Sequence, residues 1–391
     1  MYPTISHLIE DLLGIHIPLP IATFGFFLIL AIYTGGIALA REIKRKTDEG
    51  LFCAREETFI EGKAPSMGEI ALASVWSFVI GYKLVEAFLH YNELVANPQT
   101  FILSSRGHFA GGLVFGLFTA FTRFIQGQRE ALPQPKTVKR IVQPEEHVSN
   151  ILVVAGLTGI LGCKLAHNLE HIDLLIKDPV GQLLGFTGLS FYGGLILGTI
   201  CTVWYVRKKG MSGIHFMDSV SPAVILAYGV GRIGCQLSGD GDWGIENLAP
   251  KPEWMSFLPD WFWGYTYPNN VLSSGIPIEG CVGKYCNVLP NPVYPTPLYE
   301  IMMALTIFAI LWIIRKRLVK PGVMLSVYLI FNGIERFAIE QIRVNPPYNF
   351  LGIEATQAEL IAMTLTLGGV LGLITCLRRT KVLDSDYSLS T

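Results

Sequence analysis

The stretch GVGRIGCQLSGDGDWG, residues 229–244, decides how this sequence is interpreted. Its first six letters fit G-x-G-x-x-G, the pattern of a dinucleotide-binding turn, which needs a strand before it and an acidic residue about 20 positions later. The letters before it, FMDSVSPAVILAYGV, instead form the body of an apolar segment long enough to cross a membrane. We therefore reject a nucleotide-binding loop and interpret Arg232 as a cation at the end of a membrane-spanning helix.

The composition agrees with a membrane protein. The chain has 391 residues, of which 51% are hydrophobic and 16% charged, with a mean hydropathy of +0.43, whereas about a quarter of the residues in a soluble protein are charged. We expect an all-α fold, a single polytopic transmembrane helix bundle of about nine spans over residues 1–391. The apolar stretches lie near residues 19–40, 69–90, 109–125, 149–169, 188–206, 216–237, 297–314, 322–342 and 358–377.

The positive charges predict how this bundle is oriented. Most of the 30 lysines and arginines fall in alternate connections, such as REIKRK from Arg41 and RKRLVK from Arg315, if the first span runs from outside to inside. This bias places the N-terminus outside and the C-terminus inside, and it makes residues 238–296 an external loop region. The N-terminal segment has no basic stretch before an apolar one, so we expect no cleaved signal peptide. The net charge of −1 argues against nucleic acid as a partner.

Four basic residues fall at membrane depth: Lys83, Lys164, Arg232 and Arg336. A charge inside a span costs a few kcal/mol on insertion scales and usually serves a function, although a residue near a helix end can also extend its charge to the interface. Both interpretations stay open for the two lysines. For the two arginines we favour a function, because both have acidic neighbours near the predicted outer side.

These arginines belong to two separate predicted spans. Arg232 is followed by Asp240, whereas Arg336, Glu340 and Arg343 are spaced i, i+4 and i+7 and share one helix face. The simpler interpretation is a row of ion pairs that satisfies itself. Two such clusters on the same side nevertheless favour an anionic ligand, since a guanidinium offers a planar fork to phosphate oxygens.

Two segments resemble each other and predict a duplicated helical hairpin. Gly81 and Lys83 of the first align with Gly162 and Lys164 of the second, and the letters AGGL of the first meet YGGL of the second. Each copy is expected to contain two spans that are joined on the outside. The paired glycines allow helices to approach closely, which is their structural explanation.

Histidines and cysteines are the residue types in this sequence that most often bind transition metals. His167 and His171 are spaced i, i+4, which places two ligands on one helix face. No third ligand is evident, so we expect a polar helix end and no metal site. Cys281 and Cys286 fall in the external loop region, where a disulfide forms if that side is oxidising; whether they pair is left open. The remaining cysteines are expected to be free thiols.

Four segments resemble the signature of a known family. GRIGCQLSGDGDWG is similar to the G-R-x-G-N-F-x-N-G-E-x-x-G of the bacterial phosphatidylglycerol–prolipoprotein diacylglyceryl transferases. GLSFYGGL resembles their S-F-H-G-G-L, YPTPLYE their H-P-x-x-L-Y-E, and RFAIEQIR their R-x-x-x-E-x-x-R, in the same order. The resemblance covers roughly residues 160–391 and the first span. Residues 69–147, the first hairpin and its following cytoplasmic loop, therefore look like an insertion into the family's seven-span fold.

The resemblance implies an enzyme that transfers the diacylglyceryl group of phosphatidylglycerol to the lipobox cysteine thiol of prolipoproteins. A thioether forms and glycerol phosphate leaves, as the first step of lipoprotein maturation. It implies a multi-pass protein of the bacterial cytoplasmic (inner) membrane whose partners are phosphatidylglycerol, prolipoprotein signal peptides and membrane lipids; no metal or redox cofactor is indicated. The implied catalytic residues are Arg232, Arg336, Tyr192 and Glu340. The implied substrate-binding residues are Gly193, Gly194, Cys235, Ser238, Asp240, Gly244, Tyr299 and Arg343.

The implied roles follow from the type of each side chain. Arg232 and Arg336 are expected to bind the phosphate, and Glu340 to hold Arg336 in place. Tyr192 is expected to orient the headgroup or to relay a proton.

The sequence departs from the family's pattern at several of these positions. Tyr192 and Tyr294 stand where the family has histidine, Cys235 where it has asparagine, and Asp240 where it has glutamate. Two other functions therefore stay open. One is a relative that binds lipid or signal peptide without transferring a group, and the other is a transporter, a class that is often built from repeats.

Overall fold

The protein is described by a computed structural model over residues 1–15, 17–96, 101–102, 104–132, 136–184, 190–345, 348–350 and 353–388. Within these ranges the chain is mostly helical, and the strands form three separate two-stranded sheets. The predicted all-α helix bundle is confirmed as the fold class. The sheets occupy only connections between helices.

The helices follow the predicted apolar segments closely. Nine helices of 18 residues or more occur in the described part of the chain, and each overlaps one expected span. The short helices in the connections have no counterpart in the sequence prediction. The helices are α1 Ile5–Leu13, α2 Thr23–Asp48, α3 Met67–Leu89, α4 Tyr91–Ala96, α5 Phe109–Glu130, α6 Val148–Glu170, α7 Ile172–Lys177, α8 Pro179–Leu184, α9 Phe191–Lys208, α10 Gly213–Ser238, α11 Thr296–Ile314, α12 Val323–Glu340 and α13 Gln357–Ser388.

The strands are short and lie near helix ends or within the long loop. They are β1 Arg55–Glu61, β2 Lys136–Val142, β3 Ile276–Pro277, β4 Asn287–Val288, β5 Tyr348–Phe350 and β6 Ile353–Ala355. The β3–β4 pair belongs to the loop between α10 and α11, in which Cys281 and Cys286 form a disulfide. The described remaining cysteines are free thiols, as expected.

Seven of the long helices are apolar enough to cross a membrane. The other two long helices, α9 and α12, are 18 residues each and contain charged residues within that length: α9 ends in Arg207 and Lys208, and α12 contains Glu335, Arg336 and Glu340. Charged side chains lower the mean hydropathy of a span, and they are tolerated there mainly for function. The chain is a multi-pass membrane protein, and its nine spans and their orientation stay predictions.

The chain divides into two compact units. One comprises residues 2–26 and 56–142, and its main feature is a hairpin of α3 and α5. In this hairpin the glycines permit close packing, since a Cβ on Gly111 would lie 2.5 Å from the Val85 side chain. A capping box of Ser66 and Glu69 fixes the start of α3.

The other unit comprises residue 1 and residues 27–55 and 143–391. One core cluster joins α2, α6, α9 and α10 through buried side chains that include Ile43, Ile151 and Val206. A second joins α10, α11 and α12 through Ile225, Leu311 and neighbouring residues. Helix α10 contributes to both clusters, so it packs against neighbouring helices on two sides.

The two hairpin copies are built alike. In the first, the backbone N–H of His108 donates to the carbonyl of Tyr82 over 2.9 Å, and in the second Ser190 donates to Cys163 over 3.0 Å. These two bonds join aligned positions of the repeat. In both copies the first long helix is followed by a six-residue helix, α4 or α7. The predicted duplication therefore extends to the backbone connections.

Candidate active site

Arg232 lies in the last two turns of α10, where the chain leaves the helix and folds back. The helix ends at Ser238, and Gly239 takes a left-handed conformation with φ of 63°. This turn returns Asp242 to the Arg232 guanidinium, to which it is ion-paired. The same guanidinium places Nε 3.0 Å from Oε2 of Glu300 and lies over the ring of Tyr228. A planar cation is thus held on three sides.

Arg336 and Arg343 reach the same region from α12 and from the residues after it. Arg336 Nη2 lies 2.8 Å from Oε2 of Glu340, and its Nη1 lies 3.7 Å from Oε1 of Glu300. Arg343 Nη1 lies 3.3 Å from the same Glu300 oxygen, and its Nη2 lies 2.6 Å from Oδ1 of Asp242. The structure therefore brings the two predicted arginine clusters together into one network.

Glu300 is the centre of this network. Its side chain has no exposed surface, and three guanidiniums lie within 4 Å of its carboxylate. A buried charge is stable in a protein only when it is paired in this way. Glu300 is the last letter of the YPTPLYE segment, but it was not predicted as a site residue. The sequence feature that could have revealed it is that Glu300 is the one charged residue of helix α11, whose other residues are mostly apolar.

The network is close to neutral, because three arginines face the carboxylates of Asp242, Glu300 and Glu340. Burial alone would raise the pKa of Asp242, but Arg232 and Arg343 outweigh it and hold this pKa below its ordinary value. The carboxylates therefore fix the guanidiniums in position. An anion that binds here would therefore contact guanidiniums that are already paired with carboxylates.

A cavity of about 210 Å³ opens beside Arg336. Tyr192 enters it from the first turn of α9, and Asn345 donates to Oε1 of Glu340 over 2.6 Å at its edge. The cavity therefore combines one guanidinium, two phenols and one carboxylate among the described residues. Its lining comprises Tyr192, Arg336, Glu340, Asn345, Tyr348, Thr356, Gln357 and Ala358.

Gly244 is fixed by close backbone packing next to Arg343. Its N–H donates to the carbonyl of Tyr294 over 2.9 Å, and it forms a β-bridge with Arg343. A Cβ at this position would lie 2.3 Å from the Ile342 carbonyl oxygen, so a larger residue does not fit without a backbone shift. The predicted site glycine thus joins the loop between α10 and α11 to the end of α12.

Cys235 and Asp240 contact members of the arginine network. Cys235 is buried, with its Sγ 3.8 Å from Nη1 of Arg232. Asp240 accepts a hydrogen bond of 3.4 Å from the backbone N–H of Asp242, and burial raises the pKa of its carboxyl. These two predicted residues therefore contact the groups that position Arg232.

Four other predicted residues make different contacts. A Cβ on Gly193 or Gly194 would strike helix α6, so both glycines serve the packing of α6 against α9. Ser238 is buried and its carbonyl accepts from Val271, while the hydroxyl of Tyr299 donates to the Phe262 carbonyl over 2.7 Å. These contacts stabilise the α6–α9 hairpin and the loop between α10 and α11. A role of the four residues in substrate binding stays a prediction.

Residues 129–375 match the model of a family described as prolipoprotein diacylglyceryl transferase. The chain belongs to this family. The match contains the whole arginine network and begins at the end of α5, so the α3–α5 hairpin lies almost entirely before it. The predicted resemblance is therefore confirmed.

Curated relatives carry the name phosphatidylglycerol–prolipoprotein diacylglyceryl transferase. The protein from Clostridium tetani is 29% identical over 225 residues, which cover 57% of this chain and 79% of the relative. That from Corynebacterium diphtheriae is 27% identical over 232 residues, covering 58% and 76%. That from Aeromonas hydrophila is 25% identical over 281 residues, covering 70% and 88%.

Proposed function

We propose that the protein transfers the diacylglyceryl group of phosphatidylglycerol to the lipobox cysteine thiol of a prolipoprotein. The observation that carries this proposal is the convergence of Arg232, Arg336 and Arg343 on the buried Glu300, beside the cavity that Tyr192 lines. Membership of the family supports a transferase over a transporter or a relative without activity.

The chemistry explains why cations are needed. The cysteine sulfur attacks the glycerol carbon that carries the phosphate ester, a C–S bond forms and the C–O bond breaks. The electron pair leaves with glycerol phosphate, and the thiol proton passes to a base. The phosphodiester has one negative charge and the departing monoester gains a second, so fixed positive charge stabilises the transition state. The reactive form of the nucleophile is the thiolate.

We assign different tasks to the two catalytic arginines, because the cavity lining includes Arg336 but not Arg232. Arg336 faces the cavity directly and is the cation placed to contact the phosphate, and Glu340 holds it through the 2.8 Å ion pair. Arg232 does not line the cavity and stabilises the phosphate indirectly, because it pairs with Glu300, which also pairs with Arg336. Tyr192, which also lines the cavity, orients the headgroup.

The remaining parts of the proposal concern the setting of the reaction. We place the protein in the bacterial cytoplasmic membrane, with the cavity near its outer side and the signal peptide as second substrate. Residues 69–147 are an insertion that the transfer reaction does not need. Membrane lipids surround the exposed apolar surfaces of the long helices.

The proposal is tested by measuring labelled transfer from phosphatidylglycerol to a lipobox peptide with purified protein. Arg336→Ala and Arg232→Ala should each lower the rate by at least about 100-fold, because each removes charge stabilisation of the transition state. Lys251→Ala is the matched control, since this external-loop cation pairs with Asp260 outside the network. Near-normal transfer by both arginine variants would contradict the proposed roles of Arg232 and Arg336.

The role of Tyr192 needs its own variants. If the hydroxyl takes part, Tyr192→Phe should lower the rate while leaving the thermal stability unchanged. If Tyr192→Phe transfers at the rate of the unmodified protein, only the shape of the ring matters.

A further inference from the structure

Three potential metal ligands lie together at the end of α6. His167, Glu170 and His171 offer ligand atoms that lie within 4.8 Å of one another. The two imidazole rings are stacked, with centroids 4.4 Å apart and an interplanar angle of 28°. Glu170 supplies the third ligand that the i, i+4 spacing of the histidines did not reveal.

The hydrogen bonds around this cluster leave its ligand atoms ready for a metal. Nδ1 of His171 lies 3.2 Å from the carbonyl oxygen of His167. Because a carbonyl only accepts, Nδ1 carries a proton and Nε2 of the neutral ring keeps its lone pair. Ser190 Oγ donates to Oε1 of Glu170 over 3.1 Å, which orients the carboxylate. Metal-binding histidines and carboxylates are commonly oriented by such outer contacts.

The first hairpin copy has different residues and contacts at the positions that align with His167, Glu170 and His171. There His90 aligns with His171, but Glu86 replaces His167 and Leu89 replaces Glu170. Nδ1 of His90 lies 3.1 Å from Oε1 of Glu86, so this histidine is satisfied by a carboxylate. The repeat therefore provides an internal comparison in which only the second copy has a ligand set.

A second group of potential ligands, Cys235, Asp240 and Asp242, is unsuited to a cation. Both oxygens of Asp242 already face guanidiniums, one from Arg232 and one from Arg343. Their positive charge repels a metal ion at this distance. The end of α6 is the better site.

We propose that His167, Glu170 and His171 bind a divalent transition-metal ion of the Zn²⁺ type. Two imidazoles and a carboxylate are ligands that Zn²⁺ accepts, and a fourth position stays open for water. Ser190 is the N-cap of α9, two residues before Tyr192. The Ser190 hydrogen bond to Glu170 thus connects the proposed ligand set to the start of the helix that lines the cavity.

The test uses full-length protein in detergent, stripped with a chelator and titrated with Zn²⁺ by calorimetry. The unmodified protein should bind one equivalent more than His167→Ala or His171→Ala, and Ser190→Ala should weaken binding about tenfold. His90→Ala is the matched control and should bind like the unmodified protein.

Cobalt separates this site from the free cysteines. Co²⁺ bound by imidazoles and a carboxylate lacks the strong charge-transfer absorption of a cobalt–thiolate bond, so the equivalent lost in His171→Ala should lack that absorption. Equal stoichiometry and affinity in the unmodified protein and both histidine variants would overturn the proposal. Metal binding is measured without lipid transfer, so its failure leaves the proposed enzymatic function untouched.

Discussion

The geometry of the site depends on Glu300. It is fully buried and faces Arg232, Arg336 and Arg343. Glu300→Gln keeps the shape but turns an amide N–H₂ toward guanidiniums that need an acceptor. Removing one partner of a buried ion pair costs about 3–5 kcal/mol, so we expect a clear fall in melting temperature together with loss of transfer. Thermal unfolding in detergent and the labelled-transfer assay measure the two effects.

A matched control for this prediction is Glu253→Gln. Glu253 is an exposed acid of the loop between α10 and α11, and its substitution should change neither the melting temperature nor the transfer rate. The prediction fails if Glu300→Gln unfolds at the temperature of the unmodified protein, because the network would then not need the central charge.

Asp240 provides a pH-dependent prediction. Burial raises the pKa of its carboxyl above the ordinary value, so the folded protein is penalised when this group is ionised. The penalty is present above the folded pKa and disappears as the pH falls toward the ordinary value. Asp240→Asn should therefore raise the melting temperature at neutral pH, and the gain should shrink under acidic conditions. A gain that grows as the pH falls would contradict this sign.

Residue types revealed the cations of the site but not their arrangement. Arg232 and Arg336 were predictable because a charge in an apolar span is costly and therefore conspicuous. Arg343 was predicted from its spacing to Arg336 and Glu340 and from the RFAIEQIR segment. Glu300 escaped because one acid near a helix start also suits the helix dipole. Its function depends on contacts that join α10, α11 and the end of α12, and no local pattern records such contacts.

At the scale of helices, glycine contacts set how α6 and α9 pack. A Cβ on Gly193 would lie 2.4 Å from the Gly162 carbonyl oxygen and 2.2 Å from the Ala166 side chain. Gly193→Ala must push the helices apart, and overpacking of this kind costs about 1–3 kcal/mol. Thermal unfolding in detergent should show the loss.

Gly156→Ala on α6 is the matched control. No atom lies within 4 Å of a Cβ built there, so alanine should be neutral or stabilise the helix by about 0.5–1 kcal/mol. Equal melting temperatures for the two variants would show that the hairpin accommodates a methyl group at its contact.

Hydropathy predicted the positions of the long helices but not the structure of their connections. The expected span at 216–237 and the observed α10, Gly213–Ser238, differ by only a few residues. The six-residue helices α4 and α7 were missed, since short apolar segments carry no distinct period. The Gly244 turn was found only through a motif, because its geometry depends on Ile342, about a hundred residues later.

At the scale of the whole molecule, the number of spans decides where the site faces. If only the seven more apolar helices cross the membrane, α9 and α12 stay on one side. The loop between α10 and α11, with the Cys281–Cys286 disulfide, would then face the cytoplasm. Disulfides are rare in that reducing compartment. The basic segments after α9 and α11 would also face outward, against the positive-inside rule.

Nine spans instead place both basic segments inside and the disulfide outside. Reporter fusions after Lys209 and Lys320 should therefore give fluorescent protein but no active alkaline phosphatase, and a fusion within residues 250–284 should give the reverse. A C-terminal fusion serves as the control, because nine and seven spans both place that end inside. Active phosphatase after Lys209 and Lys320 would remove α9 and α12 from the membrane, and with them a cavity that opens at its outer side.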